Sequence, residues 1–171
     1  MTLSGEDDGY AEYLSWLADT VAKVADWSDR RQVCIFANSV DLPEDHVQVG
    51  IPCLLQRFKN APALSRGNVV AMLVQALAKG RNELDAATIQ TVQQSILGAL
   101  HDSNDHVRAD TVSALAKFGG EDMIPALEEV SKTDPSVDKL DHSLWIREYA
   151  AKAIAAIQKR ATASSVTAPQ R

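Results

Sequence analysis

Apolar residues between residues 10 and 27 recur at steps of three, four and three, a spacing that places them on one face of a helix. These residues are Leu14, Leu17, Val21 and Val24. A second helix is predicted over about residues 29–40, and Leu42-Pro43 ends it because the residue before a proline disfavours the helical conformation. Residues 10–50 therefore predict one helical hairpin, after a polar segment, 1–9, that we expect to be disordered.

Three later segments repeat one pattern and align without gaps, at steps of 38 and 39 residues. Each begins with a branched apolar residue and carries Ala and then Leu or Ile seven and eight positions later. The segments are 69–77, 107–115 and 146–154, and their middle residues are Leu73, Thr111 and Ala150. Because one such unit cannot bury its apolar face alone, the repeat predicts helical hairpins that stack side by side.

The segments before these repeats predict the first helix of each hairpin. Two of these segments begin with an Ile-Pro pair, Ile51-Pro52 and Ile124-Pro125. A proline is tolerated near a helix start because the N–H group that it lacks would have no partner within the helix there. Ile89 occupies the corresponding position in the segment between them. Residues 44–50 are predicted to form a turn leading into the first of these helices. The third hairpin has about four extra residues, which indicates an inserted loop over 133–145. The predicted hairpins are 10–50, 51–80, 87–118 and 122–160, within a single domain over 10–160 followed by a disordered tail, 161–171.

The charge is unevenly distributed. The net charge is −6, and residues 1–50 hold ten acidic and three basic residues, a net charge of −7. An acidic chain without a basic stripe argues against nucleic-acid binding, which depends on clustered Lys and Arg. The acidic N-terminal part could steer a basic protein partner toward the chain, although solubility alone would also explain it.

The two cysteines, Cys34 and Cys53, lie among apolar residues without CxxC spacing, so the sequence favours buried thiols over a disulfide or a metal site. No signal peptide pattern opens the chain, and no apolar run is long enough to cross a membrane. The prediction is a cytoplasmic protein that binds no membrane.

No pattern of catalytic or metal-binding residues is present. The sequence lacks GxSxG, P-loop, GxGxxG and HExxH motifs. His101 and His106 are five residues apart across a predicted turn, which does not match the spacing of zinc ligands. We therefore expect no enzyme, no catalytic residue, no cofactor and no metal site.

The stretch 101–118, with GGEDMIPALEEV and WIREYAAKAIAAI after it, resembles the HEAT repeat, and more narrowly the HEAT-like repeats of bacterial proteins related to phycobilisome lyases. The resemblance is fair over 51–80, where Val70 replaces the Arg of the pattern, and poor before residue 50, so residues 10–50 are expected to form a divergent capping hairpin. It implies an all-α fold, a right-handed α-α superhelix (a HEAT-like solenoid) of about three to four hairpins. The matching residues are Asp102, Val107, Arg108, Ala114, Leu115, Gly119, Ile124 and Leu127, and in the last unit Ile146, Arg147, Ala150, Ala153 and Ile154.

The resemblance also implies a structural role for the two arginines. In such repeats they pair with acidic residues of the turns and tie neighbouring units together. The expected partners here are Asp102 or Asp105 for Arg108, and Asp141 for Arg147.

In a HEAT-like stack the second helices of the hairpins line the concave side, and equivalent positions on them form ladders. Trp145 and Tyr149, with Lys152, are the strongest candidates for partner contacts because aromatic residues dominate interface energetics. The competing interpretation is that the two aromatic residues only pack the inserted loop against the last unit. The predicted partner-binding residues are Met72, Gln75, Asp110, Ser113, Trp145, Tyr149 and Lys152.

These observations predict a module or scaffold that binds a partner protein through this concave face and the inserted loop. Two alternatives stay open. One is an inhibitor or immunity-type protein that neutralises a toxin, which the small size and acidic balance favour. The other, implied only by the family resemblance, is a lyase-like chaperone or enzyme that attaches a bilin.

Overall fold

The described part of the chain is all-helical. A computed structural model describes residues 47–138 and 144–166, and no β-strand occurs among them. The prediction of an all-α fold is therefore confirmed for this part of the protein. The helices are α1 (Val47–Asn60), α2 (Ala63–Gly80), α3 (Ala86–Leu100), α4 (Asp105–Phe118), α5 (Ile124–Thr133), preceded by a 3-10 turn (Glu121–Met123), and α6 (Trp145–Val166).

Consecutive helices form three hairpins, α1–α2, α3–α4 and α5–α6, and the second helices of these hairpins pack against one another. Helix α4 lies between α2 and α6 and contacts both of them more extensively than it contacts its own hairpin partner α3. The three first helices contact one another much less. The packing of α2, α4 and α6 therefore holds the three hairpins together.

The repeated apolar positions form the core of this packing. Leu73, Thr111 and Ala150, the middle residues of the three aligned segments, are all fully buried. The Thr111 hydroxyl donates a hydrogen bond to the Val107 carbonyl at 2.7 Å, so its burial leaves no polar group unpaired. The sequence repeat thus corresponds to a repeated packing position, one on each second helix.

Local signals set the helix ends. The Asp85 carboxylate caps α3 by accepting hydrogen bonds from the backbone N–H and the hydroxyl of Thr88, and these bonds lower the pKa of this carboxyl. Asn104 caps α4 by accepting from the backbone N–H groups of His106 and Val107. Pro125 lies in the first turn of α5, as its spacing predicted.

Two predicted boundaries are wrong. Residues 47–50 form the first turn of α1 instead of a turn before it, so Pro52 lies inside the helix. Helix α6 continues to Val166, six residues beyond the predicted end of the domain. No Gly or Pro interrupts residues 161–166, and the Thr162 hydroxyl donates a hydrogen bond to the Gln158 carbonyl one turn earlier.

Other predictions fall on residues outside the described part. These are the disordered segment 1–9, the part of the disordered tail 161–171 that follows Val166, most of the hairpin 10–50, and part of the inserted loop 133–145. The cysteine prediction is contradicted, because Cys53 is disulfide-bonded. The other cysteine of the chain, Cys34, lies outside the described residues. The apolar surroundings of the two cysteines therefore did not distinguish a buried thiol from a disulfide.

Candidate functional site

The candidate site is the solvent-facing side of α2, α4 and α6, which we call the second-helix face. All seven predicted partner-binding residues lie on these three helices, although Trp145 opens α6 instead of lying in the loop before it. They differ in exposure. Met72, Gln75 and Trp145 are half-buried, whereas Asp110, Ser113, Tyr149 and Lys152 are exposed.

Three of the predicted residues meet at one pocket between α4 and α6. Ser113 reaches it from α4, and Tyr149 and Lys152 reach it from α6. The pocket has a volume of about 210 Å³, and the side chains of Val112 and Ala116 complete an apolar lining. Ser113 and Lys152 are 39 residues apart, so the repeat spacing of the sequence brings equivalent positions together here.

A row of aromatic rings extends along α6 from this pocket. The rings of Trp145 and Tyr149 meet edge to face, with their centroids 5.6 Å apart. The ammonium group of Lys152 lies over the Tyr149 ring, 5.7 Å from its centroid. These contacts fix the Tyr149 ring, which is nevertheless 43% exposed.

His106 on α4 continues this row and was not predicted as a site residue. Its ring lies 6.5 Å from that of Trp145, tilted by 57°. His106 and Trp145 are again 39 residues apart and hold equivalent positions in their repeats. The signal that could have found His106 is the same ladder of equivalent positions that selected the seven predicted residues.

The α2 side of the face is arranged differently. Met72 and Gln75 do not line the α4–α6 pocket. Asp110 lies over Gly67, where α2 and α4 approach so closely that a Cβ atom on the glycine would lie 2.9 Å from the Asp110 Cβ. Asp110 therefore contributes to helix packing as well as to the surface, which the sequence pattern did not reveal.

Arg108 ties the second hairpin to the third, as the resemblance implied, but its acidic partner is not the expected one. Its Nε donates to Asp134, the residue that ends α5, at 2.7 Å, and its Nη2 also donates to Ser136. Asp102 accepts only through its backbone carbonyl. Asp134 directly follows the last residue of α5, and from there its carboxylate pairs with the buried arginine.

The Asp134 carboxyl is held in its charged form. Burial favours the neutral form, but the hydrogen bonds from Arg108 and from the backbone and hydroxyl of Ser136 outweigh it, so the pKa of Asp134 lies below its usual value. Arg147 adds a further contact, donating from Nε to the Asp134 carbonyl at 2.7 Å. Its predicted partner, Asp141, lies outside the described residues.

An arginine that the sequence analysis missed ties the first hairpin to the second. Arg66 Nε lies 2.9 Å from the Asp102 carboxylate, at the end of α3. Val70 holds the position at which the repeat pattern expects an arginine, and Arg66 precedes it by one helical turn on the same face. The first and second hairpins are therefore also linked by an arginine–carboxylate pair, although this arginine lies four residues before the position that the repeat pattern assigns to it.

A larger pocket, of about 350 Å³, lies beside the Arg108 network. It is lined by the ends of α3 and α5, with Asp102, Arg108 and Asp134 among its residues. These three charged groups already pair with protein groups, Asp102 with Arg66 and Arg108 with Asp134. These three charged groups therefore hold the hairpins together.

Within residues 47–138 and 144–166, no group of three His, Cys, Asp or Glu residues is placed to hold a metal ion. Among the described helices, none is both long and apolar enough to cross a membrane.

No protein-family model, no curated protein and no solved structure matches the chain.

Proposed function

We propose that this protein is a HEAT-like helical-repeat module that binds a partner protein through its second-helix face. The observation that carries the proposal is the pocket at which Ser113, Tyr149 and Lys152 meet. Its apolar lining and its exposed aromatic ring are features of protein-binding surfaces. The right-handed superhelix, with this face on its concave side, belongs to the same proposal and is supported by the packing of α2, α4 and α6.

The exposed Tyr149 ring favours binding over packing as the role of this side chain. A tyrosine that served only to pack the loop would be expected to be buried, whereas Tyr149 is 43% exposed. Trp145 is half-buried and contacts both His106 and Tyr149, so it supports the Tyr149 ring from behind. We propose that Trp145 positions Tyr149 and that Tyr149 contacts the partner.

Within the proposal, the protein is not an enzyme and uses no cofactor. Neither a toxin-neutralising activity nor bilin attachment gains a supporting observation from the described residues. Both alternatives remain predictions from the sequence.

A cytoplasmic location also remains a prediction from the sequence. The disulfide at Cys53 argues against it, because disulfides are rare in reducing compartments. Labelling of free thiols in protein quenched inside its source cells would decide the matter.

The binding face can be tested by capture of the partner. A photo-crosslinking amino acid placed at Ser113 should trap a partner protein in the source cells, whereas the same group at Leu97 should not. Leu97 is a suitable control because it is 37% exposed but lies on α3, away from the second-helix face.

The double variant Tyr149→Ala, Lys152→Ala should then lose the trapped partner, while Leu97→Ala keeps it. Circular dichroism should show equal helicity for both variants. Retention of the partner by the folded double variant would show that the second-helix face is not the binding site.

A further inference from the structure

The second helices share a further repeated feature, three apolar residues on the side that faces the next hairpin. On α4, Val112 and Ala116 line the pocket against α6. Ala109 lies on the same side of α4, because it precedes Val112 by three residues. Ala109 and Val112 are buried, with 7% and 1% of their surface exposed. This side of α4 therefore belongs to the junction with the third hairpin.

Helix α2 has the same residue types at the equivalent positions, which are Ala71, Val74 and Ala78. Gly67, whose Cβ position lies against Asp110 of α4, precedes Ala71 by one helical turn and so marks the side of α2 that faces α4. Val74 on this side is buried. The order Ala, Val, Ala is therefore found on both second helices that another hairpin covers.

Helix α6 departs from this order. The equivalent residues, which we call the outer side of α6, are Glu148, Ala151 and Ala155, and all three are exposed. Glu148 stands where the other two helices have Ala, and Ala151 stands where they have Val. Leu144, one turn before Glu148, and Lys159, one turn after Ala155, are also exposed. The outer side of α6 thus places charged groups next to its apolar ones.

Both changes oppose the packing of another helix at this side. A helix that covered Glu148 would remove its carboxylate from water, which is costly unless the incoming helix supplies a cation. Ala151 presents less apolar surface than valine would, so its burial contributes less to packing. The terminal units of stacked repeats need a polar outer surface of this kind, because an apolar one would continue the stack.

We infer that the outer side of α6 closes the stack, and that Glu148 and Ala151 prevent a further hairpin or a second copy of the chain from packing against it. The inference does not depend on the proposed binding site. That site uses Tyr149 and Lys152, which line the pocket toward α4, whereas the outer side of α6 lies where the next hairpin of the repeat would be.

The test restores the order Ala, Val, Ala on α6 with the double variant Glu148→Ala, Ala151→Val. Two copies of this variant should pack their outer sides together, since each has lost a charge and gained apolar surface there. Self-association should strengthen about a hundredfold over that of the native chain. Sedimentation equilibrium of the full-length protein over a range of concentrations would measure it, and circular dichroism would show that helicity is kept.

The chain offers a matched control for this variant. Glu83→Ala with Ala87→Val makes the same two changes at exposed positions, before and within the first turn of α3, and should leave self-association unchanged. Adding Ala155→Lys to the first double variant should abolish its new association, because this change returns a charge to the outer side of α6.

Three results would each overturn the inference. The first is a double variant, Glu148→Ala, Ala151→Val, that associates no more strongly than the control. The second is association of this variant that survives the addition of Ala155→Lys. The third is association of the native chain that Ala155→Lys alone abolishes, which would show that a second copy already packs against this side.

Discussion

The two junctions between neighbouring hairpins are built from the same kind of ion pair at different depths. At the first, Arg66 on α2 pairs with Asp102 at the end of α3, and their side chains are 26% and 12% exposed. At the second, Arg108 on α4 pairs with Asp134 at the end of α5, and the exposures are 10% and 3%. The second junction therefore depends more strongly on its ion pair.

The comparison shows that the repeat conserves the contact and not the residue position. The arginine of the first junction lies one turn before the position that the repeat pattern assigns to it, which Val70 fills as a fully buried core residue. Because the arginine of the first junction lies at position 66, position 70 can hold an apolar side chain in the core. This placement also leaves the ion pair closer to water, where it stabilises less.

The largest effect is expected for Arg108→Met. This change removes the charge partner of the buried Asp134 carboxylate and should lower the free energy of unfolding by about 3–5 kcal/mol. Urea denaturation followed by circular dichroism would measure it. The double variant Arg108→Met, Asp134→Asn should recover part of the loss, and a single-variant loss below about 1 kcal/mol would contradict the assigned burial.

A further effect at the same junction depends on pH. Because the pKa of Asp134 is lower in the folded protein than its usual value, its ionised form stabilises the fold above that usual value. This contribution should be lost as the pH falls through the folded-state pKa. Below about pH 5, stability should therefore fall more steeply with decreasing pH for the native protein than for Asp134→Asn. Equal slopes would refute the prediction.

At the first junction, Gly67→Ala should destabilise the packing of α2 against α4. The new methyl group would press against Asp110, whose Cβ lies 2.9 Å from the methyl position. We expect a loss of about 1–3 kcal/mol despite the better helix propensity of alanine. Thermal unfolding monitored by circular dichroism would measure it, and unchanged stability would mean that the two helices are farther apart.

Arg66→Met should cost about 1 kcal/mol, clearly less than Arg108→Met, because its ion pair is partly hydrated. The same urea titration compares the two variants directly. Equal losses would remove the difference between the junctions.

The smallest effect is expected for Gly98→Ala, and its sign is opposite. A Cβ atom at Gly98 of α3 would meet no atom within 4 Å. The better helix propensity of alanine should then raise stability by about 0.5–1 kcal/mol. This variant is the matched control for Gly67→Ala, and a loss of stability in both would point to a general effect of the substitution.

The sequence predicted most of the described fold, because one repeated pattern specifies it. The buried positions Leu73, Thr111 and Ala150 and the helical identity of their segments follow from periodicity alone. The partner of Arg108 could not be predicted, since it depends on how the inserted loop turns back at Asp134. Arg66 was missed for a related reason, because its role depends on the distance across a junction and not on the repeat register.

The candidate site was predicted in part. The ladder of equivalent positions selected Ser113, Tyr149 and Lys152, which meet at the pocket. It did not show that the α2 residues lie outside that pocket, or that Asp110 packs over Gly67. Those facts depend on how closely each pair of helices packs, which equivalent positions in the sequence do not specify.

The central claim is that residues 39 apart on α4 and α6 are neighbours on one surface, and the most direct test is the ring contact between His106 and Trp145. Nuclear Overhauser spectra of the ¹³C-labelled protein should show cross-peaks between the imidazole and indole protons of these residues, whose ring centroids are 6.5 Å apart. Cross-peaks from Trp145 to residues of α6 only, with none to His106, would contradict the stacked arrangement and remove the basis for the binding face.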